Sequence, residues 1–247
     1  MYFYEVFVSS QRYHGDKPLT YSSAAELGVG AVIRVPLGKQ AVTGFVVQSV
    51  KKPTFATKEI LETIQETLIP QQLIQLHSWI LGYYPGPSGI TTQLFLPTGL
   101  ETTSRRKVIS TQTMEAVTLP PLTDEQQHAV TTIDQDSGNS YLLHGETGSG
   151  KTRVYLELAE KILRSGKSAI ILTPEIGLTT QLTARFTEAF PDKVTLLHSN
   201  QTVAERRDNW RSIVSSDEPQ IVIGPRSALF APLKSVGLIV LDECHDA

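Results

Sequence analysis

The chain has a single cysteine, Cys244, in 247 residues. It can therefore form neither an internal disulfide nor a cysteine-cluster zinc site. No apolar run approaches the roughly 18 residues that a membrane-crossing helix needs. The start, Met1-Tyr2-Phe3-Tyr4-Glu5, lacks both the basic region and the long apolar core of a signal peptide. The cytoplasm is the expected compartment. A basic surplus is also missing: 22 Lys and Arg face 25 Asp and Glu, for a net charge of −3. Any binding of nucleic acid would rest on local basic patches, not on global charge. No internal repeat is visible. What is present is a 40% hydrophobic content, enough for packed cores, over a length that suits one large or two modest domains.

The most informative stretch is Gly145-Glu146-Thr147-Gly148-Ser149-Gly150-Lys151-Thr152. It fits G-x-x-x-x-G-K-[ST], a loop that cradles phosphates with its backbone N–H groups. The glycines allow the tight turn. Lys151 is expected to reach the β- and γ-phosphates of a nucleotide, and the Thr152 hydroxyl to ligate Mg²⁺. Gly145, Thr147, Gly148, Ser149 and Gly150 complete the expected ATP-binding set. The apolar run 140–144 before the loop reads as a strand. Residues 151–165 carry Val154, Leu158, Ile162 and Leu163 at helical spacing, closed by Gly166. Such a helix would aim its N-terminus at the phosphates.

The spacing divides the chain into a β-rich part, residues 1–100, a polar linker over 101–121, and an alternating α/β part over 122–247. Tyr2 to Val8, 31–35 and 42–47 read as strands, the last two joined by the turn Pro36-Leu37-Gly38-Lys39-Gln40. Residues 70–84 switch to helical spacing, with Leu73, His77, Ile80, Leu81 and Tyr84 on one face, and Pro85-Gly86-Pro87 stops that helix. Beyond 122, strands are expected at 140–144, 168–173, 193–197, 220–224 and 237–241, with helices between them, one over 178–190. That alternation implies a parallel sheet covered by helices, with ligands at the carboxyl ends of its strands.

Three further patterns bear chemistry. Gly237 to Leu241 is a buried-type strand that ends in Asp242-Glu243-Cys244-His245-Asp246. Beside a phosphate loop, Asp242 would hold Mg²⁺ and Glu243 would orient the attacking water. His245 would link that site to neighbouring elements. Gln126, in Leu122-Thr123-Asp124-Glu125-Gln126-Gln127, has two readings: the third residue of a capping box begun by Thr123, or a reader of the adenine edge. Arg226, in Gly224-Pro225-Arg226-Ser227, would pair either with a nucleic-acid phosphate or with an internal carboxylate. Trp210, on a helical stretch with Glu205 and Arg206, reads as core.

Together these segments resemble superfamily 2 helicases of the DExH type, and more closely the primosomal replication-restart helicases (the primosomal protein N′ family). The likeness runs through residues 145–152, 172–182, 197–199, 221–232 and 237–246, and in the N-terminal part through 34–40, 44–47 and Tyr83-Tyr84. It implies a RecA-like first motor lobe, truncated here, after a β-rich module that captures the 3′ end of a nascent DNA strand. ATP with Mg²⁺ would be the cofactor. Forked or single-stranded DNA, primosome proteins and single-stranded DNA-binding protein would be the partners. By the resemblance, the 3′-end pocket falls at Leu19-Thr20-Tyr21, Gly38 and Lys58, with Lys39 beside it. This sequence departs from the family at Thr20 (usually Asp), Pro225 (usually Thr) and Cys244 (usually Glu). Thr20 accepts a hydrogen bond more weakly than a carboxylate does.

The leading expectation is an ATP-dependent 3′-to-5′ DNA helicase of replication restart, represented by its DNA-binding domain and most of motor lobe 1. Because the resemblance places a second lobe beyond residue 247, this chain alone is expected to be inactive as a motor, as a fragment or a natural truncation. The alternatives are another superfamily 2 translocase in repair or restriction, and a non-motor fork-binding fragment.

Overall fold

The computed structural model describes residues 1–65, 67–102, 119–135, 138–146, 148–174 and 181–243. They form two compact units. One comprises Met1–Arg106, Gln201–Ser216 and Phe230–Lys234; the other comprises Lys107–Asn200, Asp217–Leu229 and Ser235–Ala247.

The first unit is built on a six-stranded sheet. Its strands are β1 (Tyr2–Val8), β2 (Leu19–Ser23), β3 (Val32–Leu37), β4 (Gln40–Val50), β5 (Lys58–Glu59) and β6 (Glu62–Gln65), in the order β5-β2-β1-β4-β3-β6. All pairings are antiparallel except β2 with β5. Between β5 and β6 the chain hydrogen-bonds both edges: Ile60 N donates to Ser22 O at 2.8 Å and Leu61 N to Arg34 O at 2.9 Å. The sheet thus curls closed. Tyr4, Val6, Val8, Tyr21, Ile33, Val35 and Val46 fill one face. Phe7, Val32 and Phe45 lie on the other face, under α1 (Gln71–Tyr83) and α2 (Ser88–Phe95). β1 is apolar on both faces because it is covered on both.

The closing helix of this core comes from far along the chain. α6 (Val203–Ser215) starts at a complete capping box, with Thr202 taking the Glu205 backbone and Glu205 returning to Thr202. Its Trp210 and Val214 join the cluster around Phe7 and Phe95, and Trp210 Nε1 donates to Phe95 O at 2.9 Å. Trp210 is core, as its spacing suggested. Tyr84 is a correction: it is exposed and does not share the α1 face. It is the residue before Pro85, and a following proline disfavours the helical conformation. The short helix α2, just past Pro87, has no counterpart in the sequence reading.

The second unit contains α3 (Asp124–Gln135), α4 (Lys151–Arg164), β7 (Ser168–Leu172), α5 (Gln181–Ala189), β8 (Val194–Leu196), β9 (Ile221–Gly224) and β10 (Val236–Leu241). The four strands are all parallel, in the order β10-β7-β9-β8. β7 and β9, in the middle, are buried end to end and rich in β-branched residues. Against them pack Tyr155, Leu156, Ala159 and Leu163 from α4, and Leu182 and Phe186 from α5. The strand expected at 140–144 does not form: the segment joins no ladder among the described residues. Tyr141 and Leu142 are exposed and only Leu143 packs inward. An apolar run becomes a strand only when another strand takes its backbone groups.

Candidate nucleotide and nucleic-acid sites

In the second unit the phosphate loop is closed by its own residues. Gly148 and Gly150 have φ of +88° and +86°, the left-handed region that glycine enters freely. Ser149 N donates to Glu146 O at 3.1 Å, and Lys151 Nζ reaches back to Gly145 O at 2.6 Å and Glu146 O at 3.2 Å. A Cβ on Gly145 would lie 2.5 Å from Ser149 Oγ, and one on Gly150 2.3 Å from Gln126 Nε2. Both neighbours are ends of flexible side chains that can shift, so the requirement for glycine at Gly150 rests on its backbone angle. Gly150 is the N-cap of α4 and brings no capping side chain, so the positive end of the helix opens onto the loop. This cradle fits a phosphate chain. Thr152 and Asp242 offer the hard oxygen donors that Mg²⁺ takes.

Gln126 serves as a cap and also faces the loop. Its Oε1 accepts Thr123 N at 3.0 Å and its backbone N donates to Thr123 Oγ1 at 3.3 Å, the reciprocal pair of a capping box. Its amide nitrogen is the atom against Gly150.

Asp242 stands at the carboxyl end of β10, where Leu241 pairs with Leu172 of β7. Its N donates to Leu172 O at 2.9 Å, so its backbone is tied to β7. Its Oδ1 accepts the Tyr155 hydroxyl of α4 at 3.3 Å. Glu243 follows with φ +50°, left-handed for a residue that carries a Cβ. That costs about 1–2 kcal/mol and bends the chain sharply just after Asp242. Arg226 is exposed at the carboxyl end of β9, in the turn closed by Ala228 N to Pro225 O at 2.8 Å. Thr147 and His245 lie outside the described residues. Tyr155 was not singled out in the sequence. A tyrosine at an apolar helix position signals only core, and its reach to a residue 87 positions away depends on the packing of α4.

In the first unit, the parallel pairing of β2 with β5 sets Lys58 opposite Tyr21. Lys58 Nζ also donates to Gly38 O at 3.4 Å. Gly38 and Lys39 form a two-residue hairpin between β3 and β4, with φ +61° at Gly38. Positive φ at the first central position alone is the type II′ pattern, and glycine belongs there. A Cβ on Gly38 would meet nothing within 4 Å, so its surface is open to a close approach. The Tyr21 hydroxyl donates to Pro36 O at 3.1 Å, and burial pushes its pKa up to about 12, which keeps it neutral. Gly38, Lys58 and Tyr21 are thereby brought together. Thr20 is on the opposite pleat from Tyr21, across from Glu5, whose carboxylate accepts Gln48 Nε2 at 2.6 Å. Lys39 is exposed at the hairpin tip.

A glycine-cradled phosphate loop and an acidic strand end on a parallel sheet define a P-loop nucleotide-binding lobe. Residues 123–247 match the DEAD/DEAH box helicase family, and the chain belongs to it. Residues 5–97 match the 3′ DNA-binding domain (3'BD). The replication restart protein PriA of Rickettsia felis is 35% identical over 236 residues, covering 93% of this chain and 36% of its own length. The PriA of Helicobacter pylori strain 26695 is 34% identical over 229 residues, 93% and 35%. That of Bacillus subtilis reaches 47% over 131 residues, 51% and 16%. The chain thus spans about a third of the length of the relatives it matches along most of its own. No helix among the described residues is long and apolar enough to cross a membrane.

Proposed function

We propose that this chain carries the 3′-end-binding module and the ATP-binding lobe of a DNA helicase of replication restart that moves 3′ to 5′. The observation that carries the reading is that the glycine-rich loop leads directly into α4, whose Tyr155 meets Asp242 at the carboxyl end of a strand of the parallel sheet. A module matching a 3′ DNA-binding domain precedes it in the same chain.

In this reading the backbone N–H groups of 148–152 hold the phosphates. Lys151 would leave its loop carbonyls and donate to the β- and γ-phosphate oxygens. Thr152 and Asp242 would hold Mg²⁺, Glu243 would orient the attacking water, and His245 would link that site to neighbouring elements. Mg²⁺, when bound, neutralises charge that builds on the phosphates. Gln126 reads the adenine edge with its amide nitrogen while its oxygen keeps the cap. Gly38 lets the terminal nucleotide approach the backbone, with Lys58 and Lys39 meeting its phosphates and Thr20 nearby. Arg226 meets the DNA backbone. Forked DNA, primosome proteins and single-stranded DNA-binding protein in the cytoplasm are the proposed partners.

The test is calorimetry of Mg-ATP with the chain and with Lys151→Ala. Losing a charge-assisted contact worth about 1.5–3 kcal/mol should weaken binding about 10- to 100-fold. Equal affinities would remove the nucleotide site.

A further inference from the structure

We propose that Tyr155 is a positioning residue for the carboxylate of Asp242, holding it in the orientation that faces Mg²⁺. This deepens the nucleotide-site reading and rests on it. Tyr155 is 8% exposed, its ring packed with Ala169, Ile171 and Val240 in the core of the second unit. A tyrosine hydroxyl carried into such a core needs a polar partner. Here it donates to Asp242 Oδ1 at 3.3 Å.

The backbone of Asp242 is tied on one side, through its N to Leu172 O. On the other side the chain bends away through the left-handed Glu243. Two side-chain torsions of Asp242 remain to be set, and the Tyr155 hydroxyl restrains them by engaging one carboxylate oxygen. Tyr155 lies on α4 four residues after Lys151 and three after Thr152, the spacing that puts side chains on one helix face. The helix that begins at the phosphate loop therefore also orients the acid at the end of β10. Through one rigid element, the lysine, the hydroxyl of Thr152 and the carboxylate keep their mutual geometry whichever phosphate chain enters. Partners that orient metal-binding carboxylates commonly change metal affinity 10- to 100-fold when lost.

The experiment uses the whole chain and Tyr155→Phe, which keeps the ring in the core, with Asp242→Ala as reference. Mn²⁺ binding in the presence of ATP is followed by electron paramagnetic resonance, and ATP binding in EDTA by calorimetry. Tyr155→Phe should lower the metal-dependent affinity about tenfold, toward the level of Asp242→Ala, with ATP affinity in EDTA unchanged. Wild-type metal affinity in Tyr155→Phe, with loss in Asp242→Ala, would overturn the role of Tyr155 and leave the nucleotide site standing. Equal losses with and without metal would overturn it too, since the hydroxyl would then be shaping the loop. Absence of ATP binding in the parent would overturn the nucleotide-site reading itself, and wild-type behaviour of Asp242→Ala would overturn the metal role of Asp242 on which this proposal rests.

Discussion

In the first unit the candidate DNA-facing residues Gly38 and Lys58 come from the hairpin after β3 and from β5, and meet because β5 pairs with β2, while Thr20 lies on the opposite pleat of β2. In the second unit the candidate phosphate cradle is eight consecutive residues, to which Gln126 and Asp242 are brought from elsewhere in the unit. The closed sheet depends on distant segments even for its core, since α6 supplies Trp210. The parallel sheet fills its core mainly from α4 and α5, which adjoin β7 in sequence. A site made from one loop should survive changes elsewhere in its unit. A site made from strand pairing should fail when the unit loosens.

The largest effect is expected from Trp210→Ala. Truncating a buried tryptophan costs about 3–5 kcal/mol, and here Phe95 O also loses its donor. Urea unfolding should show the first unit melting at much lower denaturant, with DNA binding lost and ATP binding kept. Unchanged DNA binding and an unchanged midpoint would break the contrast between the two units.

Next comes the pH response of the first unit. His77 is fully buried between Phe7, Phe45 and Phe95, with Nε2 against Thr92 Oγ1 at 3.0 Å and no partner at Nδ1. Desolvation by burial lowers its pKa from 6.5 to about 4. The folded state therefore resists a proton that the unfolded state accepts. Stability is full above pH 6.5, declines as the pH falls from there to about 4, and is then lower by about 3 kcal/mol. Urea midpoints across that window should show the decline, and His77→Leu should flatten it. An unchanged slope in His77→Leu would assign the acid sensitivity to other groups.

A smaller effect is expected for Lys58→Ala. If Lys58 meets a phosphate, affinity for single-stranded DNA drops and the slope of log K against log salt shrinks by about 0.7. A steady slope in titrations at several salt concentrations would move Lys58 out of the interface. The smallest is Thr20→Asp, which should sharpen discrimination of 3′-hydroxyl from 3′-phosphate ends by repelling the phosphate. Fluorescence anisotropy on matched oligonucleotides reads this directly. Identical ratios in parent and variant would leave Gly38 and Lys58 without a 3′-end preference and favour a general DNA translocase.

Much of the architecture was legible because it repeats locally. The strands β1, β3, β4, β7, β8, β9 and β10 follow from short apolar, β-branched runs, and the helices α1 and α4 from period-3.6 spacing, within single segments. The failures share one cause. Residues 140–144 have the composition of a strand but join no ladder among the described residues, and Tyr84 is turned out by the proline that follows it. The two-residue β5 is too short to announce itself, yet it carries Lys58 to Tyr21.

By itself the sequence determined the phosphate loop, the acidic strand end, the parallel α/β order and the membership in a helicase family. Each depends on residue type at fixed short spacing, where chain connectivity already holds the groups near one another. Tertiary structure alone decided that Tyr155 meets Asp242, that α6 completes the core of the first unit, and that Lys58 lies over Gly38. Those contacts join positions 87, 115 and 20 residues apart. Loop closure over such separations is paid in entropy and recovered only when whole cores pack, a balance that no local spacing records.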